Sequence, residues 1–239
     1  MLKVDLHIHT ADDPVDRVTH STAQLLQRAA DLGFDALAVT LHDAQLDVEP
    51  YRAQAERYGI VLIAGIERTI EGKHVLLLNF SNAAERVRTF SDLARLRASE
   101  PSGLVIAPHP FFPGSSCLRS VLDTHASLFD AVEWNAMFSR RINFNTAADR
   151  WARAHGKPMV GNGDVHLLEQ LGTTFSLVDA ERDADAICAA IAAGRVEVVA
   201  RPHSDFAAVS LFARLVVSTQ LPRERRTRRV PVVLPATPS

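Results

Sequence analysis

The sequence predicts an α/β fold in which six or seven mostly parallel strands joined by helical crossovers form a sheet, open or closed into a TIM-like barrel, with the barrel favoured, and three observations lead there. Short, almost wholly apolar runs such as DALAVT (35–40) read as strands buried on both faces. Segments with helical spacing alternate with them along the chain, as crossovers between parallel strands require. The 239 residues are 47% hydrophobic, enough to fill one large core.

The first strand comes from the opening stretch, where Leu2, Val4, Leu6 and Ile8 alternate with Lys3, Asp5, His7 and His9 at the two-residue period. Both histidines therefore share a face. Ser21 with Gln24 three residues on forms a capping box for the helix AQLLQRAADL, and Gly33 stops it. Strand 35–40 follows, then a helix over 49–58, strand GIVLIAGIE (59–67), a turn at EGK and strand HVLLLNF (74–80). A helix over 83–98 leads to strand GLVIAP (103–108), a loop with a short helix to 123, and strand FDAVEWN (129–135). The last units are a helix over 141–155, strands KPMVGNGD (157–164) and TTFSLV (173–178), helix DADAICAAIAAG, strand RVEVVA (195–200) and a helix over 205–217. Residues 1–220 read as one barrel domain. Residues 221–239, with five arginines in PRERRTRR and then VPVVLPATPS, read as a flexible tail.

Composition excludes several classes. A net charge of −2 predicts no general attraction to nucleic acid or to anionic membranes. Cys117 and Cys188 are too few for a disulfide framework and lack CxxC spacing, which fits a reducing cytoplasm. No stretch approaches the roughly 20 apolar residues of a membrane span, and the first strand lacks the apolar core of a signal peptide.

Metal-competent side chains recur where the strands stop. The first ends in His7 and His9, the second in His42 and Asp43, the third in Glu67, with His74 just past the turn. Later ends deliver His109, then Glu133 and Asn135, then Asp164 and His166. Carboxyl ends of parallel strands converge on one rim, so residues scattered in sequence meet there. Imidazoles and carboxylates crowded into one pocket need a cationic partner, which a divalent metal supplies. His125, His155 and His203 lie away from these ends and read as surface or capping residues. Nitrogen and oxygen donors without thiolate favour Zn, Mn or Fe, and six histidines with at least two carboxylates exceed one tetrahedral shell. Two or three ions are expected, with Glu67 as the bridge.

The strings DLHIHT, TLHD, GIE followed by a histidine in a hairpin, APHP and GNGDVH, in that order over residues 5–166, resemble the motifs of the PHP (polymerase and histidinol phosphatase) family. ICAAIAAGR is similar to the closing part of its smaller members. The resemblance implies a distorted barrel of seven strands and a site for two or three metals. It implies one ion on His7, His9, Glu67 and Asp164, and a second on Glu67, His74 and His109. A third would use His42, His166 and one residue of the segment ADDPVDRVTH, where Asp12, Asp13, Asp16 and His20 compete and Asp12 and His20 are taken as candidates.

Such a cluster suits hydrolysis at phosphorus by a metal-activated hydroxide. The expected function is a metal-dependent phosphoesterase acting on a small phosphomonoester of nucleotide or bisphosphate type. Asp43 is a candidate to orient His42 or accept a proton, and Arg140 and Arg141 to grip phosphoryl oxygens. Three rivals remain: an exonuclease with an oligonucleotide substrate, an amidohydrolase-like metal hydrolase, and a non-catalytic metal-holding module. Lys73 in a turn and Lys157 before its strand speak against the amidohydrolase, which expects a lysine at a strand end.

Overall fold

The computed structural model describes residues 1–211. Its strands are β1 (Leu2–Ile8), β2 (Ala36–Val39), β3 (Val61–Ile70), β4 (Lys73–Leu78), β5 (Leu104–Ala107), β6 (Ala131–Asn135), β7 (Met159–Asn162), β8 (Thr174–Val178) and β9 (Val196–Ala200). Its helices are α1 (Thr22–Asp31), α2 (Arg52–Tyr58), α3 (Phe90–Ser99), α4 (Val121–Thr124), α5 (Asn145–Ala154) and α6 (Ala184–Ala192). Residues 205–211 are also helical; the rest of the helix expected over 205–217, and the whole tail 221–239, lie outside the described residues. Among the described residues no helix is long and apolar enough to cross a membrane.

The strands form one sheet in the order β7-β6-β5-β4-β3-β2-β1-β8-β9. β1, β2 and β3 run parallel, as do β5, β6 and β7, while β4 and β8 run against their neighbours. Among the described residues the sheet thus has nine strands, where the resemblance implies a barrel of seven. A parallel connection needs a crossover of about a dozen residues or more. The EGK turn and the helix-free link before β8, with only a 3-10 turn at Leu168–Gln170, are too short for one, so both strands reverse.

The sheet rolls up. Val4 and Leu6 of β1 share one buried cluster with Ala131 of β6 and Val160 of β7, residues from distant places in the strand order, and Ile187 and Ile191 of α6 pack into it. Closure is made just past β7, where Val165 N donates to His7 O (3.1 Å) and His9 N donates to Val165 O (2.9 Å). Gly161 permits the close approach of β7 to β8: a Cβ there would stand 2.7 Å from Phe175 O. The capping box at Ser21 forms as the sequence predicts, with Gly33 left-handed (φ 68°) after the helix. The helix expected over 83–98 is split, because Thr89 and Asp92 make a new capping box that starts α3 at Phe90.

Candidate metal centre

β1 carries His7 and places His9 just beyond its end, both fully buried. Each turns Nε2 to Glu67 Oε2 at 3.4 Å, and to Asp164 Oδ1 at 3.5 and 3.6 Å. Their other nitrogens are held from behind: His7 Nδ1 lies 2.8 Å from Glu133 Oε1, and His9 Nδ1 lies 2.8 Å from Asp13 Oδ2. A carboxylate only accepts, so each Nδ1 carries a proton and Nε2 is the ring nitrogen left to face the pocket. Both Nε2 atoms are buried without a hydrogen bond. Orphaned ring nitrogens in a buried site are uncommon and want a partner.

Glu67 lies between two groups of rings. Its Oε2 faces His7, His9 and His42 (3.1 Å to Nε2 of the last), and its Oε1 faces His74 Nδ1 at 2.7 Å and His109 Nε2 at 3.1 Å. Burial works to raise the Glu67 carboxyl, but His74, His7 and His42 outweigh it and hold the group well below the usual range. Burial also lowers His7 and His42, yet here the acids win. Asp164, Glu133 and Glu67 raise His7 well above its ordinary value, while Glu67 and Asp13 push His42 up to about 9. His9 goes the other way, to about 3, because burial and His166 outweigh Asp13. It is a neutral donor at any physiological pH.

Strand ends of β5 and β7 hold His109 and Asp164 in left-handed backbone, with φ 29° and 47°. Non-glycine residues in such geometry cost about 1–3 kcal/mol each and persist where the surroundings impose them. Glu133 imposes much of it. Its Oε2 accepts from His109 N (2.7 Å) and Asn135 Nδ2 (3.1 Å), its Oε1 accepts from Asn162 Nδ2 (3.1 Å), and Asn135 Nδ2 also donates to Asp164 Oδ2 (3.0 Å). His166 closes the rim, with Nε2 at 2.9 Å from Asp16 Oδ2 and Nδ1 at 3.4 Å from Asp164 Oδ1.

The structure thus brings together His7, His9, His42, Glu67, His74, His109, Asp164 and His166. From the segment after the first strand it brings Asp13 and Asp16, not Asp12 and His20. Asp12 is exposed and accepts from Thr10, Thr22 and Tyr51. His20 is buried, with neither ring nitrogen hydrogen-bonded, and no carboxylate of the cluster touches it. Asp43 does not orient His42; Asp13 does so, at 3.0 Å from Nδ1. Asp43 instead accepts from the buried Arg68 guanidinium and from Thr69 N (2.7 Å). Arg140 and Arg141 are exposed, and Arg141 pairs with Asp205 at 3.4 Å rather than reaching the cluster. Glu133 is the residue whose part sequence reasoning missed. The signal was there: Glu133 and Asn135 alternate on β6, and both end at the rim.

This donor set fits transition-metal ions. Among the described residues, four triads offer nitrogen and oxygen atoms within 4.8 Å of one another, two of them being His7, His9 and Asp164, and His42, Glu67 and His74. Two family models match the chain, the PHP domain over residues 5–103 and the PHP-associated region over 143–196. The chain belongs to the PHP family. No curated protein sequence matches it. Among solved structures it is similar to a two-domain protein from Bacteroides vulgatus containing a predicted PHP-like metal-dependent phosphoesterase (TM-score 0.62, 20% identity, 84% of this chain and 65% of that one). PsfC from Pseudomonas syringae is similar over 92% of this chain and 98% of its own (TM-score 0.62, 19% identity). Endonuclease Q from Pyrococcus furiosus is similar over 88% of this chain and 66% of its own (TM-score 0.58, 17% identity). This chain spans less than two thirds of the length of the Bacteroides protein and of endonuclease Q. At these identities the likeness is one of fold.

Proposed function

We propose that this PHP-family chain is a metal-dependent phosphoesterase that hydrolyses a small phosphomonoester. The observation that carries the reading is the pair of buried, unbonded nitrogens, His7 Nε2 and His9 Nε2, aimed at Glu67 and Asp164 while Glu133 and Asp13 hold their outer nitrogens. His7, His9, Glu67 and Asp164 would hold one divalent ion, and Glu67, His74 and His109 a second. His42, His166 and Asp16 would hold a third. Such ions, Zn, Mn or Fe, bring the pKa of bound water from 15.7 towards roughly 7 and neutralise phosphoryl charge. The chain's own part is to place the donors. Glu67 spans the two groups with its two oxygens, Asp13 orients both His9 and His42, and Glu133 fixes His7 together with the backbone of His109.

Metal analysis together with a panel of phosphomonoesters, bisphosphates, mononucleotides and short oligonucleotides tests this. Two or more metal equivalents and turnover of a monoester, both lost in Glu67→Gln, are expected. Absence of metal after Zn, Mn or Fe supplementation, or turnover unaffected by that change, overturns the reading. Preference for the oligonucleotides moves the assignment to a nuclease.

A further inference from the structure

A groove of about 430 Å³ opens beside the cluster, within the roughly 300–1,000 Å³ of small-molecule sites. His109 and Asp164 lie in its wall, so it is continuous with the reaction centre. Away from them the wall is apolar, with Phe112, Met137, Phe138, Ile142, Phe144 and Val209. Phe112 and Phe144 pack with ring centroids 5.2 Å apart, and Phe112 also meets the His109 ring edge to face. Ile142, Phe144 and Val209 are 59%, 37% and 66% exposed, a large apolar outlay for a surface beside a polar site. An apolar patch rimming a cleft marks a binding surface.

The polar groups in this wall are already engaged within the protein. Asn135 donates to Glu133 and Asp164 and accepts from Met137 N, while Ser139 Oγ accepts from Ile142 N (3.1 Å). Asp205 pairs with Arg141. A sugar or polyol placed here would surrender water hydrogen bonds without replacement. A second phosphate would find no lysine or arginine among the described residues that line the groove, and Arg141, which reaches Asp205 of the wall, is already paired there. A flat apolar group meets instead the aromatic contacts that it prefers.

Resting on the phosphoesterase reading, we infer that this groove takes the alcohol portion of the substrate and that the alcohol is flat, apolar and uncharged, of arylalkyl type, rather than a polyol or a second phosphate. Phe144 and Val209 are its specificity-determining residues.

The test compares benzyl phosphate with glycerol 1-phosphate, two alkyl esters of similar leaving-group chemistry, and separately measures calorimetric binding of benzylphosphonate and methylphosphonate to the metal-loaded protein. The expected result is at least a roughly tenfold preference for the benzyl compound in kcat/KM and in affinity, a size that apolar pockets commonly deliver. Phe144→Ala and, independently, Val209→Asp are expected to reduce both ratios to about threefold or less. Equal turnover of the two esters with equal phosphonate binding overturns the groove assignment and leaves the phosphoesterase reading standing. Selective benzylphosphonate binding, lost in both variants, with no turnover of either ester or of any phosphate ester in the panel above, supports the groove and overturns the phosphoesterase reading.

Discussion

Eight of the ten histidines fall into two contrasting regions. Six lie at the rim of the barrel and each faces a carboxylate: Glu67, Asp13, Asp16, Glu133 or Asp164. His125 and His155 instead stack flat on aromatic rings, His125 on Phe90 at 4.0 Å and His155 on Trp151 at 3.9 Å. Residue type is the same in both regions, and what separates them is the acid behind or before the ring. A carboxylate fixes the tautomer and makes a donor of the other nitrogen, whereas an aromatic face only adds packing.

The contrast can be attacked at its strongest point first. Glu67→Gln removes the charge that two groups of rings share, and phosphatase activity should fall by about 10³-fold or more with loss of bound metal, while circular dichroism stays unchanged. Asp13→Asn leaves the ligands in place but lets His9 and His42 turn; metal affinity should fall about 10–100-fold, measured by competition with a chromogenic chelator. Asp43→Ala acts elsewhere. It leaves the buried Arg68 guanidinium without its carboxylate, so urea unfolding should show a loss of about 1–3 kcal/mol with metal content retained. A weaker effect is expected from pH. His42 is raised to about 9, so below that pH its ring carries a proton that an incoming ion must displace. Metal affinity should therefore fall as pH drops from 9 to 7, with proton uptake by a weak buffer on metal addition as the readout. The smallest effect belongs to the other region: His125→Gln and His155→Gln should each cost about 1 kcal/mol or less and leave metal content untouched. Metal loss in either would erase the distinction.

Much of the site is legible in the sequence because strand periodicity and strand ends are local properties. His7 and His9 sit two residues apart, and HxH on a strand points one way whatever surrounds it. His42, Glu67, His109 and Asp164 follow the same rule at later strand ends. The choice among Asp12, Asp13, Asp16 and His20 was not legible, since it depends on the path of a loop. Asp13 Oδ1 accepts from the backbone of Val15 and Asp16 (2.8 Å each), a turn that swings Asp13 Oδ2 toward the imidazoles and leaves Asp12 outside with Thr22 and Tyr51. Asp43, adjacent to His42 in sequence, looked like its partner. A left-handed residue at φ 55° turns it to Arg68 instead.

By itself the sequence determined the order of strands and helices, the capping of α1, and which ring and carboxylate types gather at one rim, because apolar periodicity and capping chemistry act within a few residues. Only the tertiary structure decided the reversal of β8, the closure of β7 on β1 through Val165, and the role of Glu133, which meets His7 across 126 positions of chain. Those depend on which distant segments share a buried pocket, and there a hydrogen bond or a charge takes its strength from low dielectric surroundings that no local stretch of sequence contains.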